Sequence, residues 1–495
     1  MRRLFIKSSL CMMAFLCTGS VLAQTIESWV TNADRSALFA KQTEILSFGK
    51  EEGRGLPIII DDRQQFQEID GFGFAMTEGS AFHFHRMSSD ARTKILKELF
   101  GMDGNNVGIS YIRLSLGASD LNNFVYSYND LPDGETDFEL KKFSLGHDRD
   151  DIIPVMKEVL AINPKIKIMA SPWSAPKWMK ENNDVRGGAL KKECYDVYAR
   201  YFVKYIQEME KEGINIDAVT IQNEPLNSRN TPSMPYYFQE HAAFVKDHLG
   251  PAFQIAGIDT KIIIFDHNCD RPDYPLAILS DQDLAKYVDG SAFHHYRGYM
   301  SGMSIVHMAR PDKNIYFTEQ MLTERPGSPT INIASSVKRL LVDVTRNWSR
   351  NSILWNFAAD KLNDPHTGNG GCSMCQGAIT IDGNEVTRNV AYYTIAHASK
   401  FVRPGSYRIA STAPFDQGID ITEDEERAEV KRATVVEHSN VLPNVAFKTP
   451  EGNIVLIVAN DSWNENSAKV QYKGMFANIR IAPGSVGTYV WKDIK

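Results

Sequence analysis

Cysteine is scarce in this sequence. The 495 residues contain six cysteines, of which Cys11 and Cys17 lie in an N-terminal leader-like segment. So few cysteines in so long a chain exclude a small scaffold held together by disulfides, and a hydrophobic core has to stabilise the fold. Cys372 and Cys375 form a close pair in the sequence. For an exported chain this pair favours a loop disulfide over a metal or redox site, because zinc needs two more ligands and none is suitably spaced.

Long hydrophobic runs are also lacking. A membrane-spanning helix needs about 20 apolar residues, and no segment offers such a run, so we expect no stable membrane anchor. The chain opens with basic residues, an apolar stretch from Leu10 to Leu16, and the small-residue site Val21-Leu-Ala23. This order is typical of a signal peptide, here residues 1–23. We therefore expect export to the periplasm, the cell surface or the medium.

Charge of one sign is not concentrated anywhere in the chain. The net charge is −7, spread along the sequence, so the basic patch of a nucleic-acid-binding protein is missing and no nucleic-acid partner is expected. The acidic run Glu423-Asp-Glu-Glu-Arg427 is interpreted as a solvated loop. A dinucleotide cofactor is not expected either, because Gly71-Phe-Gly73 lacks the third glycine of a phosphate-binding loop.

Short runs rich in β-branched residues alternate with stretches of helical period from residue 67 to residue 400. Such alternation predicts repeated βα units, and eight parallel strands with both faces covered favour a closed (β/α)8 TIM barrel. One crossover helix is predicted over Tyr236–Leu249, ended by Gly250-Pro251. The predicted strands are Gly71–Thr77, Ser110–Leu116, Lys165–Ala170, Ala218–Gln222, Lys261–Phe265, Ser291–His295, Asn314–Thr318 and Ser352–Phe357.

The hydrophobic period changes to two after about Phe401. Runs such as Asn444–Lys448 and Gly487–Trp491, separated by Gly, Pro and Asn, predict an attached antiparallel β-sandwich over residues 401–495. Residues 24–66 precede the barrel and include the apolar run Leu56–Ile60. We expect this N-terminal segment to contribute strands to the sandwich.

Two of the predicted barrel strands stop on a glutamate. The fourth strand leads into Asn223-Glu224-Pro225, and the seventh ends at Glu319. Strands four and seven face each other across the mouth of an eight-stranded barrel, so two carboxylates there can flank one bound sugar. Retaining glycoside hydrolysis needs such a pair about 5–5.5 Å apart, with one group protonated and the other ionised. Either glutamate alone would be read as an ordinary polar strand end, but the pair predicts a glycosidase.

Further polar and aromatic residues stand at or beside strand ends. The rings of Trp173 and Trp355 can stack on sugar rings or simply fill the core. The carboxylate of Asp120 can bind two sugar hydroxyls. Arg113, near the barrel floor, can keep Glu319 charged. A metal site built from His294 and His295 together is disfavoured, because neighbours on a strand face opposite sides and one at most lines the cleft. No metal site is expected. The residues are Arg113, Asp120, Trp173, Asn223, His294, Tyr296 and Trp355.

The sequence resembles glycoside hydrolase family 30, which includes glucosylceramidases and β-1,6-glucanases. The motifs that carry the resemblance are Gln67–Thr77, Tyr111-Ile-Arg113 through Asp120, Ala170-Ser-Pro-Trp173, Asn223-Glu-Pro225, Phe317-Thr-Glu319 and Trp355-Asn356. The resemblance implies a barrel with a sandwich, a retaining mechanism and no cofactor. It assigns Glu224 as acid/base and Glu319 as nucleophile. It further places sugar contacts at Asp120, Trp173, Asn223 and Trp355, and a tyrosine beside the nucleophile at Tyr296.

The sequence departs from the glucosylceramidase pattern at two places. His295 stands where those enzymes carry Trp, and the loop Asn369–Gly377 differs, and both changes are interpreted as bearing on the leaving-group side. The interpretation is a secreted β-glucosidic hydrolase, with β-1,6-glucan slightly ahead of a glucosyl lipid. Alternatives are activity on another β-glycoside, such as a β-xyloside or β-fucoside, and an inactive carbohydrate-binding barrel. A metal-dependent hydrolase is disfavoured by the lack of clustered ligands.

Overall fold

The computed structural model describes residues 24–50, 56–412, 416–424, 429–438 and 442–493. The predicted signal peptide, residues 1–23, lies outside the described residues. Before the barrel, the described strands are β1 (Thr25–Thr31), β2 (Ala40–Lys41), β3 (Leu46–Ser47) and β4 (Leu56–Ile69).

Eight parallel strands form the central sheet and confirm the predicted barrel. They are β5 (Gly71–Met76), β6 (Tyr111–Ser115), β7 (Lys167–Ser171), β8 (Ala218–Thr220), β9 (Lys261–Asn268), β10 (Val288–His294), β11 (Asn314–Glu319) and β12 (Asn351–Leu354). From β5 to β11 each strand pairs with the next along the chain, and β12 pairs with β5. Parallel bridges from Ile315 to Ser349 and from Met321 to Trp355 join the remaining edges.

Helices cover the outside of this sheet. The described α-helices are α1 (Glu78–Arg86), α2 (Ser89–Phe100), α3 (Ile152–Ile162), α4 (Tyr195–Lys211), α5 (Phe238–Phe244), α6 (Gly250–Ala256), α7 (Asp273–Leu279), α8 (Gln282–Ala285), α9 (Ser301–Ala309), α10 (Ile333–Val337), α11 (Val344–Arg346) and α12 (Val390–Ser399). A π-helical segment, Val245–Leu249, joins α5 to α6, and another, Lys338–Asp343, joins α10 to α11. Short 3-10 turns span Gly146–Arg149, Lys177–Met179 and Lys192–Cys194. Across these ranges, no helix is both long enough and apolar enough to cross a membrane.

The predicted end of one helix at Gly250-Pro251 is wrong, because the helical path continues through α6. Pro251 falls in the first turn of α6, directly after the π-helical segment Val245–Leu249. Proline lacks the N–H that would donate to the preceding turn, and it stands here directly after a π-helical segment, where the regular α-helical pattern is already interrupted. Gly250 serves packing rather than termination, since a Cβ on it would meet the Tyr287 ring at 2.4 Å.

The C-terminal strands form the predicted sandwich sheet together with the N-terminal ones. After β13 (Ala358–Ala359), β14 (Ile379–Asp382) and β15 (Glu385–Arg388), the chain continues through β16 (Ser406–Ser411), β17 (Asp416–Asp424), β18 (Glu429–His438), β19 (Asn444–Lys448), β20 (Asn453–Asn460), β21 (Asn466–Tyr472), β22 (Met475–Ile481) and β23 (Ser485–Lys492). The order in the large sheet is β2-β1-β23-β20-β19-β16-β4-β21-β22, with β3 on β1. Residues before the barrel therefore supply four strands of this sheet, while the exact domain bounds stay a prediction.

Strands β17 and β18 pair with each other as a separate antiparallel hairpin that the sequence analysis did not predict. Glu423 and Asp424, expected in a solvated loop, are the last residues of β17. The rest of that acidic run lies outside the described residues.

The barrel interior begins with an apolar layer to which seven strands contribute one residue each. Its buried members are Tyr111, Met169, Ala218, Ile263, Ala292, Tyr316 and Ile353. Side chains two residues apart on a strand face the same side. The next inward layer, toward the C-terminal strand ends, is therefore set by residues two positions further along, and this is where the polar side chains lie.

Candidate active site

The layer next to the apolar one, two residues further along the strands, is made mainly of polar side chains. Arg113 follows Tyr111, His294 follows Ala292 and Thr318 follows Tyr316, and all three are buried. The period of two thus directs these side chains to the barrel axis, just below the C-terminal mouth. Catalytic groups of TIM barrels lie at this end of the strands.

Asp266 is the centre of this layer and was not predicted. Its Oδ2 accepts from Arg113 Nη2 at 2.9 Å and from Thr220 Oγ1 at 2.7 Å, and its Oδ1 accepts from Thr318 Oγ1 at 2.6 Å and lies 3.0 Å from His294 Nε2. Burial alone would raise the pKa of Asp266, but Arg113 and His294 hold it well below its usual range. Asp266 is therefore a buried carboxylate that anchors two cationic side chains.

Glu319 is the last residue of β11, and its side chain faces the cavity at the C-terminal end of the barrel. Arg113 Nη1 donates to its Oε2 at 2.7 Å, and the Tyr296 hydroxyl donates to its Oε1 at 3.1 Å. Burial raises the pKa of Glu319, and the positive charges of His294 and Arg113 counteract that rise. The predicted placements of Arg113 and Tyr296 beside this carboxyl group agree with the observed contacts.

Glu224 lies just beyond β8 in a loop with a left-handed backbone, φ 46°. Its backbone N–H donates to the Asp266 carbonyl at 3.0 Å, and Asn227 Nδ2 donates to its Oε2 at 2.7 Å. A non-glycine residue in this region of φ/ψ space is held there by its surroundings at a cost, a situation common at functional sites. Here the backbone conformation turns the carboxyl group toward the axis of the barrel.

His294 lies between two of these acids. Its Nδ1 is 3.2 Å from Glu224 Oε1, and its Nε2 is 3.0 Å from Asp266. Burial lowers the pKa of His294, but the charge of Glu319 and the contacts with Asp266 and Glu224 raise it to about 9. Burial raises the pKa of Glu224, yet the hydrogen bond and charge of His294 lower it to about 2.

The directions of these two pKa shifts favour the proton of the Glu224–His294 contact on His294. Moving that proton from Nδ1 to Glu224 Oε1 leaves the net charge of the site unchanged. The two residues act as one proton-holding pair, and the titration belongs to the pair rather than to either member.

Glu224 and Glu319 are close neighbours. One carboxylate oxygen of each, together with one His294 nitrogen, lies within 4.8 Å of the others. Carboxyl groups of inverting glycosidases are about 6.5–9.5 Å apart, to leave room for a water, whereas retaining enzymes hold them about 5–5.5 Å apart. The spacing in this protein is that of the retaining class.

These three residues also have the separation of metal ligands, but their surroundings do not suit a cation. Arg113 already places a positive charge 2.7 Å from Glu319. His294 contacts carboxylates through both ring nitrogens, and a nitrogen that donates a proton in such a contact has no lone pair to offer a metal. Arg113 and His294 themselves provide the positive charge at this position.

The remaining predicted residues line one cavity of about 730 Å³ above the two glutamates. Its lining includes Asp120, Trp173, Asn223, Tyr296 and Trp355. The rings of Trp173 and Trp355 are stacked with their centroids 5.2 Å apart. Asn223 Oδ1 accepts from Arg113 Nη2 at 2.7 Å, which fixes the amide with its N–H donors available for a ligand. Burial, with the charges of Glu319 and Glu224, raises the pKa of Asp120 well above its usual range.

Several lining residues were missed by sequence reasoning. His267 and Asn268 end β9 beyond the predicted strand end at Phe265, and the others stand in loops without a period, namely Leu226–Asn230, Asp270, Arg271, Arg297 and Met321. Cys372 and Cys375 also line the cavity and form the predicted disulfide.

His295 does not line this cavity, and its bearing on the leaving-group side stays a prediction. It faces away from the barrel axis into a different cavity, as the alternation of side chains on a strand requires.

A barrel with a close glutamate pair at its C-terminal mouth and a β-sandwich attached defines a glycoside hydrolase of the retaining class. Comparison with known proteins agrees. The profile of the glycosyl hydrolase family 30 TIM-barrel domain matches residues 69–402, and that of the family 30 β-sandwich domain matches residues 431–489. The chain belongs to glycoside hydrolase family 30.

Individual relatives cover most of the chain. It is 33% identical over 429 residues to an endo-1,6-β-D-glucanase of Neurospora crassa, covering 84% of each protein. It is 28% identical over 472 residues to the lysosomal acid glucosylceramidase of Mus musculus, covering 89% of this chain and 84% of that one. A solved endo-β1,6-glucanase structure superimposes with a TM-score of 0.82 at 31% identity, covering 95% of this chain and all of the other.

Proposed function

We propose that this protein hydrolyses β-1,6-linked glucan by a retaining double displacement, with Glu319 as nucleophile and Glu224 as acid/base. The observation that carries the mechanism is the separation of the two carboxylates, within 4.8 Å. At that separation Glu319 is close enough to bond to the anomeric carbon while Glu224 reaches the glycosidic oxygen.

In the first step a Glu319 oxygen attacks the anomeric carbon and the bond from that carbon to the leaving oxygen breaks. The leaving oxygen takes the proton held by the Glu224–His294 pair and departs as a hydroxyl group. In the second step Glu224 removes a proton from water, the water oxygen bonds to the anomeric carbon, and the Glu319 ester bond breaks. Two inversions return the β configuration, and the pair regains its proton.

The contacts of each glutamate support its role. Glu319 receives two donors, from Arg113 and Tyr296, so its charged form is stabilised for attack. Glu224 instead contacts a protonated histidine, so a proton is available beside the position of the leaving oxygen. Asp120, which lines the cavity, is placed to bind sugar hydroxyls, and the Trp173–Trp355 stack forms an apolar wall for the sugar ring.

The choice of β-1,6-glucan is supported by the relatives at 33% and 31% identity, whose names state that activity. A glucosyl lipid is the second substrate, supported by the glucosylceramidase relative at 28% identity. A xyloside or fucoside substrate is not favoured by these relatives, and the presence of both glutamates with their hydrogen-bond partners argues against an inactive barrel. The leader pattern of residues 1–23 further supports action outside the cytoplasm, where a polymeric substrate is accessible.

The substrate and the stereochemistry can be tested together. Purified enzyme is incubated with β-1,6-, β-1,3- and β-1,4-glucans, a xylan and glucosylceramide, and products are followed by NMR from the first turnovers. We expect the highest kcat/KM on β-1,6-glucan and a first-formed β-anomer. A first-formed α-anomer would contradict the double displacement, and a preference for glucosylceramide would select the second substrate.

Two variants test the catalytic roles proposed for Glu319 and Glu224. Glu319→Ala should abolish turnover of every substrate, including aryl β-glucosides with good leaving groups, because no residue remains to form the covalent intermediate. Glu224→Ala should still release the aryl group from such activated substrates in a first burst, because a good leaving group needs no proton. Normal turnover by Glu319→Ala would show that the nucleophile is assigned wrongly.

A further inference from the structure

A second cavity lies at the seam between the barrel and the sandwich, on the other side of the loop that carries Tyr296. It has a volume of about 310 Å³ and is lined from the barrel by His295, Tyr299 and Arg339 and from the sandwich by Asp461. We call it the seam cavity. Because His295 and Tyr296 are consecutive, one wall of the seam cavity adjoins the wall of the catalytic cavity.

Two exposed aromatic residues lie on the segments that supply lining residues to the seam cavity. Tyr299 lines the cavity and is 54% exposed, and Trp463, two residues after Asp461, is 95% exposed. Large exposed aromatic rings can stack on sugar rings, and aromatic residues often contribute much of the binding energy of an interface.

The loop that carries Trp463 is held rigidly by its own hydrogen bonds. Asn460 Nδ2 donates to the carbonyls of Asn464 at 2.8 Å and Ile481 at 2.9 Å, while its Oδ1 accepts from Ser462 Oγ at 2.8 Å and from Asn466 Nδ2 at 3.0 Å. The ring is therefore presented outward by a fixed backbone, and binding a ligand there costs little loop entropy.

The charges around the cavity cancel. Lys338 and Asp343 form an ion pair at 3.4 Å, and Arg339 and Asp461 carry opposite charges. Burial and the neighbouring Arg339 lower the pKa of His295, so it is neutral at neutral pH. A lining with no net charge but many donors and acceptors suits a neutral, hydroxyl-rich ligand better than an anion or a cation.

We propose that the seam cavity and Trp463 form a non-catalytic binding site for a neutral glycan, occupied by a second stretch of the polymer on which the catalytic cleft acts. This inference rests on the proposed function for the identity of that polymer. Holding the polymer beside the catalytic cavity raises the local concentration of cleavable bonds without any new contact to the reacting sugar.

The test measures binding without hydrolysis. Full-length Glu319→Gln enzyme and the same protein carrying Tyr299→Ala and Trp463→Ala are titrated with β-1,6-glucan and with the β-1,6-linked glucose disaccharide. We expect the added substitutions to weaken polymer binding by roughly 3- to 10-fold, the range of one or two aromatic contacts. Disaccharide binding should not change, because a disaccharide fills only the catalytic cavity.

A matched control is Tyr407→Ala, which removes a 39% exposed aromatic from β16 of the sandwich and should bind both ligands like the parent. Equal polymer affinity with and without the seam substitutions would overturn the proposal. An equal loss for polymer and disaccharide would also overturn it, since the aromatics would then belong to the catalytic cleft.

Failure of the proposed function is distinguishable from failure of the seam site. If the unmodified enzyme does not cleave β-1,6-glucan, the same titration is made with β-1,3- and β-1,4-glucans. A seam-dependent loss on any of these neutral polymers would support the seam site independently of the substrate assignment. The absence of a seam-dependent loss on all of them would overturn it.

Discussion

The charge state of Glu319 is set by a few contacts that oppose its burial. Burial raises its pKa, the cationic His294 and Arg113 lower it, and the Tyr296 hydroxyl donates a hydrogen bond at 3.1 Å. Because the proposed attack by Glu319 requires its ionised form, we expect kcat/KM to fall as the pH falls through this pKa. The acidic limb of the pH profile therefore reports how well these contacts stabilise the carboxylate.

Tyr296→Phe should shift that acidic limb to higher pH. The substitution keeps the ring and removes one donor to the carboxylate, so the pKa of Glu319 rises further. Hydrogen bonds to charged groups contribute about 1.5–3 kcal/mol, which corresponds to a shift of about one pH unit or more. The measurement is kcat/KM on an aryl β-glucoside across pH, with the thermal midpoint recorded for folding.

Tyr198→Phe is the matched control, since it deletes a buried tyrosine hydroxyl on α4 that does not line the cavity. Its pH profile should coincide with that of the unmodified enzyme. If Tyr296→Phe left the acidic limb in place, the Tyr296 contact would have no part in controlling the ionisation of Glu319.

At the scale of elements, the strand β9 shows where prediction from sequence succeeds and where it stops. The apolar layer and the polar layer follow from a period of two, which would direct Phe265 inward after Ile263. The register of β9 against β10 shifts after Phe265, and Phe265 and Asp266 both have positive φ. This bulge points Asp266 inward instead, and a bulge has no signature in the hydrophobic pattern.

Other parts of the structure also separate into those that could be predicted from the sequence and those that could not. The barrel strands, Glu224, Glu319 and the cavity-lining aromatics could be predicted because they stand at the ends of regular, periodic segments and within family motifs. The helix through Pro251 could not, because a π-helical segment has no sequence signal that sets it apart from a helix end. Loop residues such as Asn227 and Arg297 depend on tertiary packing, so their place in the cavity was visible only in three dimensions.

Asp266→Asn should destabilise the whole protein. It leaves Arg113 and His294 without their shared counter-charge in a fully buried layer, and breaking a buried ion pair costs about 3–5 kcal/mol. We expect the free energy of unfolding, measured by urea denaturation, to fall by about 3 kcal/mol. Asp270→Asn, an exposed change in the loop after β9, should stay within about 0.5 kcal/mol of the unmodified protein. Equal stability of the two variants would show that the Asp266 charge is not needed for folding.

For the whole molecule, the barrel and the sandwich are joined by buried polar contacts as well as by apolar packing. His397 on α12 of the barrel contacts two adjacent strands of the sandwich sheet, with Nε2 2.8 Å from Thr31 Oγ1 on β1 and Nδ1 2.8 Å from Thr488 Oγ1 on β23. Phe39 packs edge-on against its ring with the centroids 5.2 Å apart. Burial lowers the pKa of His397 to about 3, so the ring is neutral in the folded protein at any pH well above that value.

This junction should make folding sensitive to acid. An unfolded histidine has a pKa of about 6.5, so below that pH the unfolded chain binds a proton that folded His397 does not bind until about pH 3. The stabilisation from the neutral histidine is complete above pH 6.5 and is lost as the pH falls, by about 2 kcal/mol at pH 5 at 1.36 kcal/mol per pH unit.

His397→Gln should be less stable than the unmodified protein at pH 7. Between pH 6.5 and 5, however, its free energy of unfolding in urea denaturation should fall by about 2 kcal/mol less than that of the unmodified protein. His147→Gln, a change at a half-exposed surface histidine, should keep the original dependence. Parallel curves for His397→Gln and the unmodified protein would contradict a neutral histidine at the junction.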